Sequence, residues 1–288
     1  MDYALVITAT VLLAIDFSIS KKYQSVVGTS PAVGLIFNMA NGLLTAIIFW
    51  AIGGFKLTFS PFSAILASGM ALCGLLYSLL GFRILKTGNM SLYSLFLMSG
   101  GMLVPYIYGL WRWDEEPGPW RILGVICILT AVALSNRAKS QVSAKLLSLC
   151  AAIFLLNGMV SILSKCHQIE KVYPTVDSAD FVMYSGLARA IFCAVAIPFF
   201  KREKTVGGDK FWTCSLLLAA GSAAIGGVSY LFQLIGAETL PATVLYPIVT
   251  GGAILFSTFA GKLFFKEKIS TTQWISVGLC FVGTCLFL

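Results

Sequence analysis

The sequence predicts an all-α integral membrane protein with ten transmembrane helices, arranged as two inverted five-helix repeats. The first observation is composition, because 58% of the 288 residues are hydrophobic and only 11% are charged, against about 25% charged in soluble domains. The second is a series of long apolar segments, and the third is a set of short motifs that recurs in both halves of the chain. This composition excludes a soluble globular domain, a disordered chain and a disulfide scaffold.

Each apolar segment has the length that a helix needs to cross a bilayer. A helix rising about 1.5 Å per residue covers roughly 30 Å of hydrocarbon with about 20 residues. Apolar side chains surround each segment, which is typical of helices in lipid, and the period-two alternation of membrane strands is missing. The predicted helices cover residues 3–20, 31–52, 61–82, 89–111, 120–136, 145–164, 179–200, 211–235, 240–263 and 272–288.

Capping residues mark where several of these helices begin. Ser30 and Ser60 each precede a proline, which places an N-cap serine before the first helical residue. Pro119 opens the fifth helix, and Ser270 with Gln273 fits a capping box before the tenth. The first segment lacks basic residues before its apolar run, so a cleavable signal peptide is not expected.

Short motifs recur in the same order in the two halves of the chain. The pairs are Ser20-Lys21-Lys22 with Ser164-Lys165-Cys166, Gly74 and Tyr77 with Gly227 and Tyr230, Gly100-Gly101 and Glu116 with Gly251-Gly252 and Glu267, and Trp120 and Gly124 with Trp274 and Gly278. The ordered series indicates duplication of a five-helix unit, with residues 1–140 and 141–288 as two copies within one membrane domain. Because five is odd, the second copy must cross the bilayer in the opposite sense, an arrangement associated with secondary transporters.

The basic residues suggest an orientation and a location. Most of the 20 lysines and arginines follow odd-numbered helices, so the positive-inside rule favours both termini outside the cell. A net charge of +8 favours contact with anionic lipid, whereas nucleic acid is not an expected partner. We expect a multi-pass protein of the cell membrane, of the bacterial plasma-membrane type.

Cysteine, histidine and known motifs give no sign of catalytic chemistry. The eight cysteines are scattered without a CxxC pair, so we interpret them as reduced, small hydrophobic residues. The single histidine, His167, excludes a multi-histidine metal site. No nucleophile–base pair, Walker loop or dinucleotide fingerprint is present. We therefore predict no enzyme, no catalytic residue and no cofactor, and any transport would be driven by gradients or exchange.

Residues 240–278 resemble the closing helices of the drug/metabolite transporter superfamily, specifically its EamA-type ten-helix members. The similar stretches run from Leu240-Pro241 through Tyr246-Pro247 to Gly251-Gly252, then Phe264 to Lys268, then Trp274-x-x-x-Gly278. The resemblance implies a basket of two inverted repeats that moves small metabolites by alternating access, commonly as export. It also implies cytoplasmic termini, in conflict with the distribution of basic residues, and it leaves the substrate open because members handle amino acids, nucleotide sugars, quaternary amines and drugs.

Two charged residues lie inside predicted helices. Arg189 is near the middle of the seventh helix, where a charge costs at least about 2.5 kcal/mol. It matches the family's arginine-bearing helix, and it either clamps a carboxylate or phosphate or ties helices together through backbone carbonyls. Asp16, in place of the family's usual pattern in helix 1, either binds a substrate ammonium, carries a coupling proton or pairs with a basic residue. The two together would suit a zwitterion.

Uncharged polar and aromatic residues complete the predicted substrate-binding set. They are Asn38, Asn41, Tyr77, Asn157, Tyr184, Tyr230, Gln233 and Tyr246. Tyr77 and Tyr230 are related by the repeat, so we expect them at equivalent depths on a cavity wall, and Asn41 occupies the position related to Arg189. Each asparagine also suits interhelical hydrogen bonding, worth about 0.6–2 kcal/mol, and each aromatic suits packing, so both interpretations stand. The glycine pairs at 100–101 and 251–252 predict close helix contacts.

The sequence therefore favours a secondary active transporter or exchanger of small metabolites such as amino acids or amines. Its expected partners are the lipid bilayer, a small-molecule substrate and a coupling proton or ion. One alternative is a quaternary-amine or drug carrier, in which Asp16 and several tyrosines would bind a cation. Another is a non-transporting membrane scaffold, although a scaffold has no need for a charge such as Arg189 inside the membrane. The choice between monomer and dimer stays open.

Overall fold

The structure, a computed structural model, describes residues 2–28, 30–85, 90–135, 143–200, 209–266 and 270–287, and over these it contains helices and no strand. The helices are α1 (Asp2–Val27), α2 (Pro31–Ile52), α3 (Pro61–Leu85), α4 (Met90–Arg112), α5 (Pro119–Ser135), α6 (Ala144–Ile169), α7 (Ser178–Ala196), α8 (Asp209–Thr239), α9 (Ala242–Phe265) and α10 (Thr271–Cys285). A short 3-10 helix, Ile197–Phe199, continues α7. Each predicted helix is present. Glu267 of the recurring motifs, Lys268 of the stretch that resembles the family, and the positions 136–142 and 201–208 lie outside the described residues.

Eight of these helices are long and apolar enough to cross a membrane, namely all except α5 and α10. The protein is therefore a multi-pass membrane protein. The other two helices are shorter within the described residues, so the ten spans stay a prediction. The helix α5 has 17 residues and α10 has 15, which at about 1.5 Å per residue gives only roughly 22–26 Å of length. These two shorter helices pack against each other.

The capping predictions are confirmed at the helix starts. The Ser30 hydroxyl accepts from the Val33 amide at 3.4 Å at the start of α2. Ser270 and Gln273 form the complete capping box of α10, with each side chain accepting from the other residue's backbone N–H. The end of α6 differs from the prediction, because the helix continues past residue 164 to Ile169. Lys165 and His167 therefore lie within a helix and not in a loop.

The contacts between helices follow the same pattern in both halves of the chain. If each helix of one half is exchanged for the helix at the same position in the other half, most contacting pairs become other contacting pairs. Three pairs map onto themselves, namely α2 with α7, α5 with α10 and α4 with α9. The other main contacts have equivalents in the other half. The contact of α1 with α8 corresponds to that of α6 with α3, α1 with α9 to α6 with α4, and α2 with α8 to α7 with α3. The centre of the bundle is thus bounded by helices from both halves of the chain.

The helices α2 and α7 cross at two glycines, Gly42 and Gly186. A Cβ on Gly42 would lie 2.6 Å from the Gly186 carbonyl oxygen, and a Cβ on Gly186 would lie 2.7 Å from the Gly42 carbonyl oxygen. Such small residues let membrane helices approach backbone to backbone. The flanking contacts are also reciprocal, since Gly42 faces the Cβ of Arg189 and Gly186 faces the Cβ of Thr45. The counterpart of Arg189 at this crossing is therefore Thr45, whereas the sequence pattern predicts Asn41.

The glycine pairs identified in the sequence also lie at close helix contacts. A Cβ on Gly100 of α4 would overlap the backbone of Phe154 in α6. A Cβ on Gly252 of α9 would lie 2.7 Å from the Thr10 hydroxyl in α1. The predicted role of these glycines in helix packing is confirmed.

A candidate substrate cavity and a charged relay

A cavity of about 410 Å³ lies between α1, α2, α3, α6, α7, α8 and α9. Its polar lining residues are Asn38, Tyr77, Ser78, Ser161, Ser164, Ser185, Arg189, Tyr230, Gln233 and Tyr246. Leucines, alanines and glycines supply most of the remaining wall. Among the residues that line this cavity in the described part of the chain, Arg189 alone carries a charge. The wall therefore combines an apolar surface with one positive charge and several hydroxyl and amide groups.

A smaller side pocket of about 70 Å³ adjoins this cavity. Asp16, Asn41, Thr45 and Ser222 provide most of its polar lining. Arg189 lines both spaces and so marks their boundary. Asp16 belongs to the side pocket and does not appear among the lining of the large cavity. The two charged residues that the sequence singles out thus share the side pocket, and Arg189 alone of the two also lines the large cavity.

A chain of hydrogen bonds links Arg189 to Asp16. The Arg189 Nη1 donates to Asn41 Oδ1 at 2.9 Å, and Asn41 Nδ2 donates to Ser222 Oγ at 2.9 Å. The Ser222 hydroxyl in turn donates to Asp16 Oδ1. We call these four residues the relay. Because a guanidinium can only donate and an ionised carboxylate can only accept, the relay runs in one consistent direction from the cation to the anion.

Small residues on the neighbouring helices make room for the relay. A Cβ on Gly226 of α8 would lie 3.0 Å from Asp16 Oδ2, so the carboxylate rests close to the helix backbone. The glycine crossing of α2 and α7 brings Asn41 within reach of Arg189 in the same way. Charged side chains within membrane helices are stable when they pair with one another or face a polar space. Arg189 and Asp16 meet both conditions, because the relay links them and each lines a polar space.

Two tyrosine hydroxyls at the cavity wall are held by α6. The Tyr230 hydroxyl lies 3.1 Å from the Ser164 hydroxyl, and the Tyr246 hydroxyl donates to the carbonyl oxygen of Ser161. Tyr77, which matches Tyr230 in the recurring sequence motifs, also lines the cavity. These contacts fix the aromatic rings as rigid parts of the wall.

Comparison with known proteins identifies the family. A sequence model of the EamA-like transporter family matches residues 144–288. The chain belongs to the EamA-like transporter family. It is thus a membrane transporter of the drug/metabolite transporter superfamily, whose EamA members are transporters rather than enzymes.

The fold of this EamA-like transporter also occurs among solved structures, whereas no curated protein sequence matches the chain. A crystal structure described only as that of a protein superposes with a TM-score of 0.77, covering 99% of this chain and 95% of the other at 16% sequence identity. At that identity the likeness shows a shared fold and nothing about the substrate.

Two of the predicted substrate-binding residues of the EamA-like transporter lie away from both spaces. The Asn157 side chain donates to the Leu97 carbonyl oxygen of α4 at 2.7 Å. The Tyr184 hydroxyl donates to the Thr58 carbonyl oxygen at 2.8 Å. Neither residue lines the cavity or the side pocket. Their hydrogen bonds account for them as contacts between segments of the fold.

Lys165 is a buried charged residue that the sequence did not single out. Its side chain is only 4% exposed, and its Nζ donates to the carbonyl oxygens of Ala237 and, at 2.7 Å, Leu240. These carbonyls lie at the end of α8, where a cation is favoured by the helix dipole. A basic residue after an apolar run predicts a loop, so only the tertiary contact explains why Lys165 turns inward.

Glu115 makes the matching contact on the next helix. Its carboxylate accepts from the backbone N–H groups of Ala242 at 2.7 Å and Thr243 at 2.8 Å, in the first turn of α9. A carboxylate at a helix N-terminus satisfies N–H groups that have no partner within the helix. The neighbouring Glu116, which belongs to the recurring motif, is exposed.

His167 belongs to a buried packing cluster. Its ring stacks on Phe181 with 3.6 Å between ring centroids. One ring nitrogen, Nε2, lies 2.9 Å from the Ser63 hydroxyl, and Nδ1 lies 3.0 Å from the Gln168 amide. These contacts join α6 to α3 and α7 and give His167 a structural role.

Proposed function

We propose that this protein is a secondary active transporter or exchanger that moves small carboxylate-bearing metabolites, amino acids among them, by alternating access. The observation that carries the proposal is the position of Arg189 as the charged residue in the cavity lining. A guanidinium binds a carboxylate through two parallel hydrogen bonds, which gives both affinity and orientation. The cavity volume of about 410 Å³ is within the range of small-molecule sites.

The rest of the lining favours a substrate with an apolar or aromatic side chain. Leu13, Leu35, Met70 and Leu245 provide apolar surface, and Tyr77 provides an aromatic wall. An ammonium group can lie against aromatic faces without a carboxylate partner. Amino acids therefore fit the combination of groups, with the carboxylate on Arg189 and the side chain on the apolar wall.

The alternative of a quaternary-amine carrier has less support from the cavity. In that interpretation Asp16 would neutralise the substrate cation. Asp16 instead lines the side pocket of about 70 Å³, and its carboxylate accepts from Ser222. A bare cation in the large cavity would face the positive charge of Arg189, which repels it.

Alternating access in this proposal uses two inverted repeats, residues 1–140 and 141–288. The interchange of helix pairs under a shift of five helices supports this arrangement. The reciprocal contacts of Gly42 and Gly186 support it as well. Transporters built this way switch between outward-open and inward-open states when one repeat rocks against the other around a fixed central site.

We place the protein in the cell membrane, with the lipid bilayer and a small-molecule substrate as its partners. Its orientation has two alternatives, because the basic residues favour outside termini and the family resemblance favours cytoplasmic ones. Thiol labelling of cysteines introduced at residues 139 and 204, which lie outside the described residues, distinguishes them. Labelling of both positions from outside intact cells places the termini in the cytoplasm.

The experiment that tests the function compares matched compounds that differ in one charged group. Purified protein in proteoliposomes is loaded with L-phenylalanine, and exchange is measured against external L-phenylalanine, 3-phenylpropionate and phenethylamine. The series is repeated with L-leucine, 4-methylpentanoate and 3-methylbutylamine. We expect the amino acid to exchange, the acid to compete and the amine to fail. Exchange or competition by the amines alone would overturn the proposal.

A further inference from the structure

We infer that Asp16 is a proton-binding site, and that a carboxylate substrate on Arg189 crosses the membrane together with one proton held on Asp16. The inference rests on the proposed function, because it requires a carboxylate in the large cavity. Three features of the structure support it: the size of the side pocket, the charge balance of the relay and the geometry of the Asp16 carboxylate.

The side pocket is too small for a metabolite. A volume of about 70 Å³ has room for a few water molecules, since each requires only about 10–15 Å³ of such space. A metal cation is disfavoured there, because it would lie beside the Arg189 guanidinium and find one carboxylate, Asp16, in the described lining. Water and a proton are the ligands that match this space.

The relay is electrically balanced only while the cavity holds no anion. Arg189 and Asp16 then offset each other through Asn41 and Ser222. A substrate carboxylate on Arg189 adds a second negative charge to the same guanidinium, while the ammonium group of an amino acid lies against the aromatic wall and does not pair with the relay. Because uncompensated charge inside a membrane is costly, the site regains balance when Asp16 takes up a proton. Anion binding and proton binding are thus coupled, each strengthening the other by the same free energy.

The proton transfer itself requires no rearrangement of the relay. Asp16 Oδ1 accepts from the Ser222 hydroxyl, whereas Oδ2 faces Gly226. An O–H bond of a hydronium ion in the side pocket breaks as its proton forms an O–H bond on Oδ2, which leaves a water molecule behind and the Ser222 bond on Oδ1 in place. Asp16 lines the side pocket, so water held there can reach it. On release, the O–H bond breaks and the proton returns to water with the departing substrate.

The charged and titratable groups around Asp16 leave Arg189 as its partner. The side pocket is lined by residues of α1, α2, α7 and α8, among which Arg189 and Tyr230 are the other titratable groups in the described lining. The helix α9 also packs on α1, and its charged residue within the described range, Lys262, lies over an aromatic ring. Lys21, further along α1, also lies over an aromatic ring.

The first test separates exchange from proton-driven uptake, with L-phenylalanine as the probe in proteoliposomes. Exchange is measured at equal pH on both sides, and accumulation is measured with a pH gradient and no internal substrate. We expect the wild-type protein to show both activities. Asp16→Asn should lose accumulation above the level seen without a gradient, and it should lose a far larger share of accumulation than of exchange. Accumulation by Asp16→Asn equal to that of the wild type would overturn the inference.

A control is Asp180→Asn, which changes another carboxylate within the folded protein, one that is more deeply buried than Asp16. Asp180 is 6% exposed and accepts from Thr58, away from both the cavity and the side pocket. We expect it to keep both exchange and accumulation. Loss of accumulation in both variants would assign the effect to general damage and count against Asp16.

The second test uses the wild-type protein and does not depend on the folding of any variant. Infrared difference spectra of the wild-type protein are recorded as L-phenylalanine is added at neutral pH. A band of a newly protonated carboxyl group should appear, and it should be absent from Asp16→Asn if that variant folds. Absence of the band in a wild-type protein that exchanges L-phenylalanine overturns the inference alone. A wild-type protein that exchanges none of the tested compounds overturns the proposed function, and this inference with it.

Discussion

Lys165 and Glu115 bind the two sides of a single helix break, Lys165 at the end of α8 and Glu115 at the start of α9. Pro241 lies between the carbonyls that Lys165 contacts and the N–H groups that Glu115 contacts. The cavity wall includes Ala237 just before the break and Leu245 just after it. The two charged side chains therefore hold the joint between α8 and α9 against α6 and the segment after α4, at one end of the cavity.

We predict that Lys165→Met opens the cavity more readily at this end. The change leaves two carbonyls without their charged donor, at a cost of about 1–3 kcal/mol. Cys193 lines the cavity and can report the opening when it is retained as the single cysteine. Its labelling by a membrane-impermeant thiol reagent, applied to each face of membrane vesicles in turn, should become faster from the face where α8 ends.

The control for this change is Lys171→Met, which removes an exposed lysine from the following loop. It should label at the rate of the parent protein. If the parent protein, Lys165→Met and Lys171→Met are labelled at equal rates from the face where α8 ends, the role assigned to Lys165 is contradicted.

Replacing Arg189 should separate substrate binding from folding. Lysine retains the charge but lacks the planar fork that binds a carboxylate through two hydrogen bonds. Since hydrogen bonds to charged groups are worth about 1.5–3 kcal/mol, we expect Arg189→Lys to raise the half-saturating L-phenylalanine concentration roughly ten- to a hundredfold. Its yield of folded protein should exceed that of Arg189→Ala. Equal loss of yield in the two variants would show that Arg189 is mainly structural.

A methyl group at the crossing of α2 and α7 should destabilise the fold. In Gly42→Ala the new Cβ would lie 2.6 Å from the Gly186 carbonyl oxygen, and such overpacking costs about 1–3 kcal/mol. Thermal unfolding in detergent measures the effect. Gly278→Ala is the control, because nothing lies within 4 Å of a Cβ built there and alanine favours a helix by about 1 kcal/mol. The prediction fails if Gly42→Ala unfolds at or above the temperature of Gly278→Ala.

The loop between α6 and α7 should loosen in acid through Glu170. Hydrogen bonds from the backbone N–H groups of Val172 and Tyr173 hold the pKa of the Glu170 carboxyl below its usual value. Because this pKa is lowered by folding, its contribution to stability is present at neutral pH and is lost as the pH falls through the lowered pKa. Hydrogen exchange at Val172, corrected for intrinsic rates, should rise in acid for the wild type. In Glu170→Gln it should be less sensitive to pH.

The helices were predictable because their apolar lengths follow from the thickness of the bilayer. The end of α6 was not, since Lys165 and His167 are polar and look like loop residues. They remain helical because Lys165 reaches carbonyls at the end of α8 and His167 stacks on Phe181. Those partners are distant in sequence, and no local pattern reveals them.

The residues that line the two spaces were more predictable than their arrangement. Polar residues within membrane helices must face protein or water, which is why most of the predicted set lines the cavity or the side pocket. The same polarity made Asn157 and Tyr184 candidates, although backbone carbonyls satisfy them. That Asp16 lines the side pocket and not the large cavity depends on helix rotation, which sequence spacing leaves undetermined.

The reciprocal contact of Gly42 with Gly186 has an evolutionary consequence. If two identical five-helix chains met at this crossing, the positions of Thr45 and Arg189 would hold the same residue. Two arginines would repel each other inside the membrane, and two threonines would offer no cation to an anionic cargo. One arginine opposite a threonine requires two halves of different sequence, which this single chain provides and a dimer of identical chains does not. Joining the two halves in one chain thus lets a nearly symmetric crossing bear a single unit of charge.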